Sequence, residues 1–428
     1  MSANLDAVPA RAAVRLRDLP VQVRWLLVGF AFSAVGSGLT LPYLYVYLVE
    51  VRHFETATVG WLFAWMGLLG FAVAMPLGTA IDRLGPRPVM IVGLVIEAVG
   101  TGCIGWADSV PEGFAVASLV VIGTAGLWPA STALLTRMVS EPVRERLYAV
   151  NFMTLNAGLG IGGLISSLVI DVNSVASFQR LYLIDALTFG VHILVLLALP
   201  RGTGSVAATG APEVGAARAE QPVASWSVVL RDRALVRFTA ISVLVLTVGY
   251  AQLEAGFAAY TVTVAGVPPR VLGWAYAGNT LAIVVGQLVV LRLIAGRRRT
   301  TLLTLCSLGW GLAWAVVAVS GLTAGWSAAL AVVVGMTVFG LSETLWAPVA
   351  PALVNSLARE DLRGRYNALQ GMAWTMGGVI GPAMAGLLIG HGLAAVWVVL
   401  VVGGQVLGAV LFRMLRSRLT DDQDGVGR

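Results

Sequence analysis

The chain contains no lysine, and all 28 of its basic residues are arginine. Without lysine there can be no GxxxxGK[ST] phosphate-binding loop, which excludes a nucleotide-driven pump of the usual kind. Cysteine is nearly absent as well: Cys103 and Cys306 both lie inside apolar runs, so neither a disulfide framework nor a cysteine-rich metal site can be built. Three scattered histidines, His53, His192 and His391, argue against a metal enzyme, and no nucleophile and base pair stands out. Charge is scarce too. Charged residues make up 12% of the chain and hydrophobic residues 58%, and the mean hydropathy is +0.85. Such a chain cannot present a charged surface to water, so its solvent must be lipid. The first twenty residues carry Arg11, Arg15 and Arg17 but no apolar core ending in small residues, so a cleaved leader is not expected and the first span is retained.

What is present is a series of long apolar runs punctuated by glycine, proline and arginine. A bilayer core takes about 20 apolar residues per helix. Spans are predicted near 24–49, 57–80, 88–107, 112–137, 147–171 and 178–199, then near 237–264, 270–293, 300–321, 325–351, 366–390 and 393–415. The runs are continuously apolar rather than alternating, which excludes a strand barrel, and backbone groups in lipid must be satisfied within a helix. The expected fold is an all-α membrane protein of twelve transmembrane helices in two six-helix bundles. Residues 1–23 form an N-terminal tail, 24–199 the first bundle, 200–236 a linker with a short amphipathic helix, 237–415 the second bundle and 416–428 a C-terminal tail.

The isoelectric point near 9.7 suggests nucleic acid until the arginines are placed. Arg24, Arg83, Arg87, Arg137, Arg144, Arg146, Arg297, Arg298, Arg299, Arg359, Arg363, Arg365, Arg413, Arg416 and Arg418 fall at one end of the spans, together with the N-terminal arginines. Only Arg52, Arg180 and Arg270 fall at the other. The charge asymmetry predicts that both termini and the linker are cytoplasmic in the inner membrane. The halves also repeat at a constant offset of 219 residues: Arg144 matches Arg363, Arg146 matches Arg365, Asn151 matches Gln370, Pro129 matches Pro348, Gly158 matches Gly377 and Gly162 matches Gly381. Parallel repeats of this size put a substrate site near the midplane, between halves that rock.

Between the second and third spans stands GTAIDRLGPRP, with Gly78, Asp82, Arg83, Gly85, Arg87 and Pro88. It resembles motif A of the major facilitator superfamily, and span number, repeat and linker extend the resemblance over residues 20–418. Physically, Gly78 permits close helix approach, and Asp82 can pair with arginines or a helix N-terminus, a latch that closes the cytoplasmic side. The plainer reading is a tight turn with solvated charges. The second-half counterpart, GQLVVLRLIAGRRRT, keeps Gly286, Arg292 and Gly296 but has Val290 where an acid is expected. GLGIGGLISS, with Gly158, Gly162 and Gly163, and GGVIGPAMAG, with Gly377, Gly381, Pro382 and Gly386, are similar to the glycine-rich motif of drug-exporting members, although the proline stands in span eleven rather than span five. Close helix packing alone also explains them.

The resemblance implies a cavity lined by spans one, four, seven and ten. An acid at the centre of a membrane helix costs about 2.5–3.5 kcal/mol on insertion scales, which marks it for function. Glu254 and Glu343, placed mid-span in spans seven and ten with no arginine near them, are the first candidates for proton coupling or substrate binding, and Glu97 is the third. Asp185 is read as interfacial or paired with Arg180, and His192 as a hydrogen-bonded helix histidine. In span one, Pro42 can kink the helix while Tyr43 and Tyr47 share a face. Together with Trp128, Tyr250, Gln252 and Trp346 they are the expected cavity residues.

An apolar, aromatic cavity with one or two carboxyls suits lipophilic or cationic compounds better than sugars. The resemblance therefore implies an exporter of the drug:proton antiporter branch, with protons, a small-molecule substrate and membrane lipid as partners, no bound cofactor beyond the proton gradient, no nucleic acid, and a monomeric chain. A symporter or facilitator importing a metabolite on the same fold remains the alternative.

Overall fold

A computed structural model describes residues 19–139, 141–200, 226–294, 296–358 and 362–426. The N-terminal tail with Arg11, Arg15 and Arg17, the linker residues 201–225 and Arg359 lie outside them. The described residues are helical, with no strand. In chain order the helices are α1 Val21–Thr40, α2 Thr56–Leu84, α3 Pro86–Ile104, α4 Val110–Thr124, α5 Leu127–Met138, α6 Glu141–Val169 and α7 Val175–Ala198. After the linker come α8 Trp226–Arg231, α9 Arg233–Val248, α10 Arg270–Leu293, α11 Arg299–Val319, α12 Trp326–Leu357, α13 Arg363–Gly390 and α14 Ala394–Leu415. Among the described residues, ten helical segments, including α4 continued by α5, are long and apolar enough to cross a membrane. The fifth and eighth places in the series are filled by α6, apolar over Met153–Val169, and by α10.

Both halves begin with a broken helix. After Thr40 the chain tightens into a 3-10 turn at Leu41–Tyr43, resumes over Leu44–Val46 and widens into a π-type turn over Tyr47–Val51. Pro42 causes the break, since it has no N–H to return to the preceding turn. Its counterpart, α9, is capped by Asp232, whose side chain accepts from the Ala234 and Leu235 amides. It stops at Gly249 and continues through Tyr250–Leu253, Gly256–Ala259 and a π-type turn over Tyr260–Val264.

A broken membrane helix leaves carbonyls that lipid cannot satisfy. Two glutamine side chains repair this one: Gln252 Nε2 donates to Thr247 O at 2.7 Å, and Gln405 Nε2, from α14, donates to Val245 O at 2.8 Å. A side chain at Gly249 would collide with that Gln405 amide.

Glycine sets the packing within each half. A Cβ on Gly162 would lie 2.1 Å from Val35 O, and one on Gly158 would lie 2.5 Å from the Ala34 Cβ, so α6 lies directly on α1. In the second half, Gly381 meets Ala251 and Gly377 meets the Thr247 amide, which brings α13 onto the broken span, while Pro382 is buried within α13. The glycine-rich motifs therefore do the same packing job in each repeat.

The halves touch through α2 with α13 and α6 with α10. A Cβ added to Gly60 would stand 2.6 Å from Gly386 Cα, and one on Gly273 would stand 2.2 Å from Gly163 O. These contacts all lie toward the arginine-poor end. Toward the arginine-rich end the walls part: among the described residues nothing lies within 4 Å of a Cβ on Gly78, Gly364 or Gly371, and Met75 is 81% exposed.

Candidate functional site

A cavity of about 460 Å³ lies between the halves. Its wall on the first half is largely apolar, with Leu41, Pro42 and Leu44 from the broken span, Phe63 and Met66 from α2, and Val121 from α4. The second half supplies most of the polarity: Tyr250 and Glu254 at the break after α9, Tyr276, Asn279 and Thr280 from α10, and Glu343 from α12. Asn156 of α6 and Thr124 of α4 add polar groups from the first half.

The break creates this site. An unbroken helix would carry Tyr250 and Glu254 onward at 3.6 residues per turn. Instead Gly249 departs from helical geometry, with φ −112° and ψ −89°, and the residues after it turn toward the cavity. Tyr276 holds the new path by donating from its hydroxyl to Leu253 O at 2.9 Å. Tyr250 stands edge-on to Trp374 at 4.8 Å and backs onto Phe339 and Trp310, which stack on each other at 5.1 Å. Its hydroxyl lies against the Glu343 carboxyl. Glu254 is open to the cavity and Glu343 half open to it, and neither carboxyl belongs to an ion pair among the described residues. Two unneutralised carboxyls on an apolar-walled cavity can each take up a proton or meet a cation.

Of the expected cavity residues, Tyr250, Glu254 and Glu343 line this cavity and the others lie off its wall. Tyr43 and Tyr47 do not share a face, because Tyr43 itself leaves helical geometry at φ −113°, ψ 0°. Tyr43 crosses to the other half, and Tyr47 donates to Gly105 O at 2.7 Å and packs on Phe178 and Tyr182. Arg52 ties that corner down, donating to Tyr47 Oη and Gly105 O and pairing with Asp108. Gln252 is wholly buried in repairing the break, its Oε1 accepting from Trp397 Nε1 at 2.8 Å. Trp346 is buried between Trp310 and Phe412, and Trp128 is 55% exposed away from the cavity wall.

Glu97 also lies off the wall. It is buried in the first half, on α3 against Gly123 of α4, with Oε2 unpartnered among the described residues. Asp185 is not paired with Arg180. It is buried on α7, where Oδ2 accepts from Thr40 Oγ1 at 2.6 Å. His192 shares a hydrogen bond with Ser33 at 3.0 Å.

In the motif between α2 and α3, Asp82 and Arg83 are exposed and in no ion pair among the described residues, and no described atom lies within 4 Å of a Cβ placed on Gly78. Gly85 has φ 88°, the left-handed region that favours glycine, and it ends α2 so that Pro86 can open α3. Arg87 caps another helix, donating to Leu197 O and Pro200 O at the end of α7.

In the second-half counterpart, where Val290 stands in place of an acid, the arginines that follow meet the C-terminal tail. Asp424 is buried; it accepts from the Thr300 amide at 2.8 Å and from Thr300 Oγ1 at 3.0 Å, and it faces Arg298, which also pairs with Asp421. Sequence reading missed this contact, and it missed Asn156, Tyr276 and Asn279 because, acids and histidine aside, it weighed residues only in spans one, four, seven and ten. Polar residues inside otherwise apolar spans five and eight were the available signal.

The Major Facilitator Superfamily profile matches residues 26–347 and again 265–427. An uncharacterized MFS-type transporter of Bacillus subtilis, YqjV, is 23% identical over 380 residues, covering 86% of each chain. The multidrug resistance protein MdtH of Aeromonas hydrophila is 26% identical over 373 residues, covering 85% of this chain and 87% of its own. Among solved structures, the nucleoside transporter NupG superposes with a TM-score of 0.71 at 14% identity, over 93% of this chain and 99% of its own, a likeness of fold alone.

Proposed function

The chain belongs to the Major Facilitator Superfamily of membrane transporters, and from that premise we propose that it exports lipophilic or cationic small molecules in exchange for protons. The observation that carries this reading is the pair of unneutralised carboxyls, Glu254 and Glu343, on the wall of a largely apolar cavity between the halves. Protons arriving from the far side displace a bound cationic or lipophilic substrate, and the halves then rock so that the protons leave inward. Glu97 is left out of this step because it does not reach the cavity wall. The name of the relative MdtH supports export without identifying a cargo.

The arginine distribution supports an inner-membrane orientation with both termini in the cytoplasm. On that orientation the parted walls face inward, and the loose Asp82 motif is the released form of its latch. The chain works as a monomer, with the proton gradient as its only energy source.

Inside-out vesicles with an imposed pH gradient test the proposal. Uptake of a fluorescent cationic dye should follow the gradient and stop when a protonophore collapses it; uptake indifferent to the gradient overturns proton exchange. Saturable counterflow of a sugar, amino acid or organic acid would favour import instead.

A further inference from the structure

A groove of about 550 Å³ opens on the second half and shares no lining residue with the cavity between the halves. One wall is the second turn of α9 and the start of its third, with Arg237, Ala240 and Ile241; the other is the end of α14 and the turn after it, with Leu411, Ser417 and Arg418. The groove sits at the arginine-rich end and reaches from the level of Arg237 to that of Ile241, about 6 Å at the helical rise. Its inner surface is apolar and its mouth holds two guanidinium groups. Both arginines are exposed and in no ion pair among the described residues. Of the acids near them in sequence, Asp232 caps α9 and accepts from Tyr366 Oη at 2.8 Å, Asp421 pairs with Arg298 and Asp424 is hydrogen-bonded to Thr300, while Asp422 is exposed and in no ion pair among the described residues.

Two unpaired cations above an apolar cleft, at the level where a helix leaves the hydrocarbon, match one amphipathic ligand. We propose that this groove binds an anionic phospholipid. The headgroup phosphate accepts hydrogen bonds from Arg237 and Arg418, and an acyl chain descends along Ala240 and Leu411. Arginine's planar fork suits a phosphodiester in two-point contact, and basic pockets between membrane helices hold anionic headgroups by this combination of charge and apolar wall. A choline headgroup would bring its own cation against the same two arginines and be held less well. The neighbouring helix α8 lies at the same level, with Trp226 and Leu230 about half exposed beside the arginine-rich surface, as expected of a segment resting on headgroups.

The test is native mass spectrometry of the detergent-solubilised full chain titrated separately with phosphatidylglycerol and phosphatidylcholine. Phosphatidylglycerol should be retained as a discrete adduct that survives delipidation, and phosphatidylcholine should not. The double substitution Arg237→Gln, Arg418→Gln should weaken that adduct about thirtyfold, each arginine contributing near the usual value for a headgroup contact. Arg413→Gln with Arg416→Gln, outside the groove, should leave it unchanged, and Arg237→Lys with Arg418→Lys should retain most of it, which guards against misfolding as the cause. Equal retention of the two lipids, or loss from the control variant as large as from the groove variant, overturns the proposal in favour of non-specific annular lipid. Displacement of the adduct by millimolar inorganic phosphate overturns it in favour of a free anion site.

Discussion

The hydroxyl of Tyr43, in the first half, accepts a hydrogen bond from the backbone amide of Gly273, in the second half, at 3.1 Å. The bond sits at the arginine-poor end, where a side chain at Gly273 would meet Gly163 O at 2.2 Å and Tyr43 Oη at 2.6 Å. The seal between the halves is thus backbone against backbone, with the Tyr43 phenol spanning it.

Tyr43→Phe removes the bond and keeps the ring. A net hydrogen bond is worth about 0.5–1.5 kcal/mol, so the balance should move toward the form open at this end by about two- to tenfold. Gly273→Ala should move it further, because the obstruction is backbone and cannot swing aside. Maleimide labelling of Leu41→Cys, in a background with Cys103 and Cys306 replaced, reads the opening from the arginine-poor side. Unchanged labelling in both variants would show that the seal lies elsewhere.

Glu254→Gln and Glu343→Gln should each bring gradient-driven uptake down to the level of empty vesicles while the proteins remain folded. Substrate exchange without a gradient should persist, since an amide still occupies the same space on the cavity wall. If both variants pump normally, the two carboxyls are not the coupling groups.

Glu97→Gln should behave in the opposite way. The carboxyl is buried in the first half with Oε2 unpartnered and does not reach the cavity, so gradient-driven uptake should stay near wild type and the thermal midpoint should hold or rise. Loss of uptake at normal stability would return Glu97 to the coupling machinery.

Asp424→Ala should lower the thermal midpoint in detergent. It leaves the Thr300 amide and hydroxyl without their acceptor at the start of α11, a loss of about 1–3 kcal/mol for buried partners. A chain ended after Arg418 lacks Asp424 altogether and should show a midpoint lowered by at least as much. A midpoint equal to wild type in the full chain would mean that the tail contact contributes no stability.

Much of the architecture could be read from residue order. Apolar run lengths placed the helices because a bilayer imposes its own thickness on any segment that crosses it. The 219-residue offset related Gly158 and Gly162 to Gly377 and Gly381, and in the structure each pair packs a fifth-place helix on the broken first helix of its own half. Glu254 and Glu343 stood out because an acid in lipid is costly, and that cost depends on position in the run alone.

The cavity itself could not be read this way. Which side of a helix faces inward depends on where it breaks, and the breaks at Pro42 and Gly249 reset the direction of everything after them. Tyr43 and Tyr47 were assigned by a regular 3.6-residue period, and Gln252 by its place beside Glu254, and the chain leaves regular helix at those points.

The sequence alone determined a lipid-solvated, duplicated bundle and the unusual acids within it, because hydropathy, repeats and charge asymmetry are properties of residue order. Only tertiary structure decided that Glu254 and Glu343 share one cavity while Glu97 does not, and that Asp424, in the C-terminal tail, is hydrogen-bonded to Thr300 at the start of α11. Those outcomes depend on how helices distant in the chain come to lie against one another, and no local pattern encodes that distance.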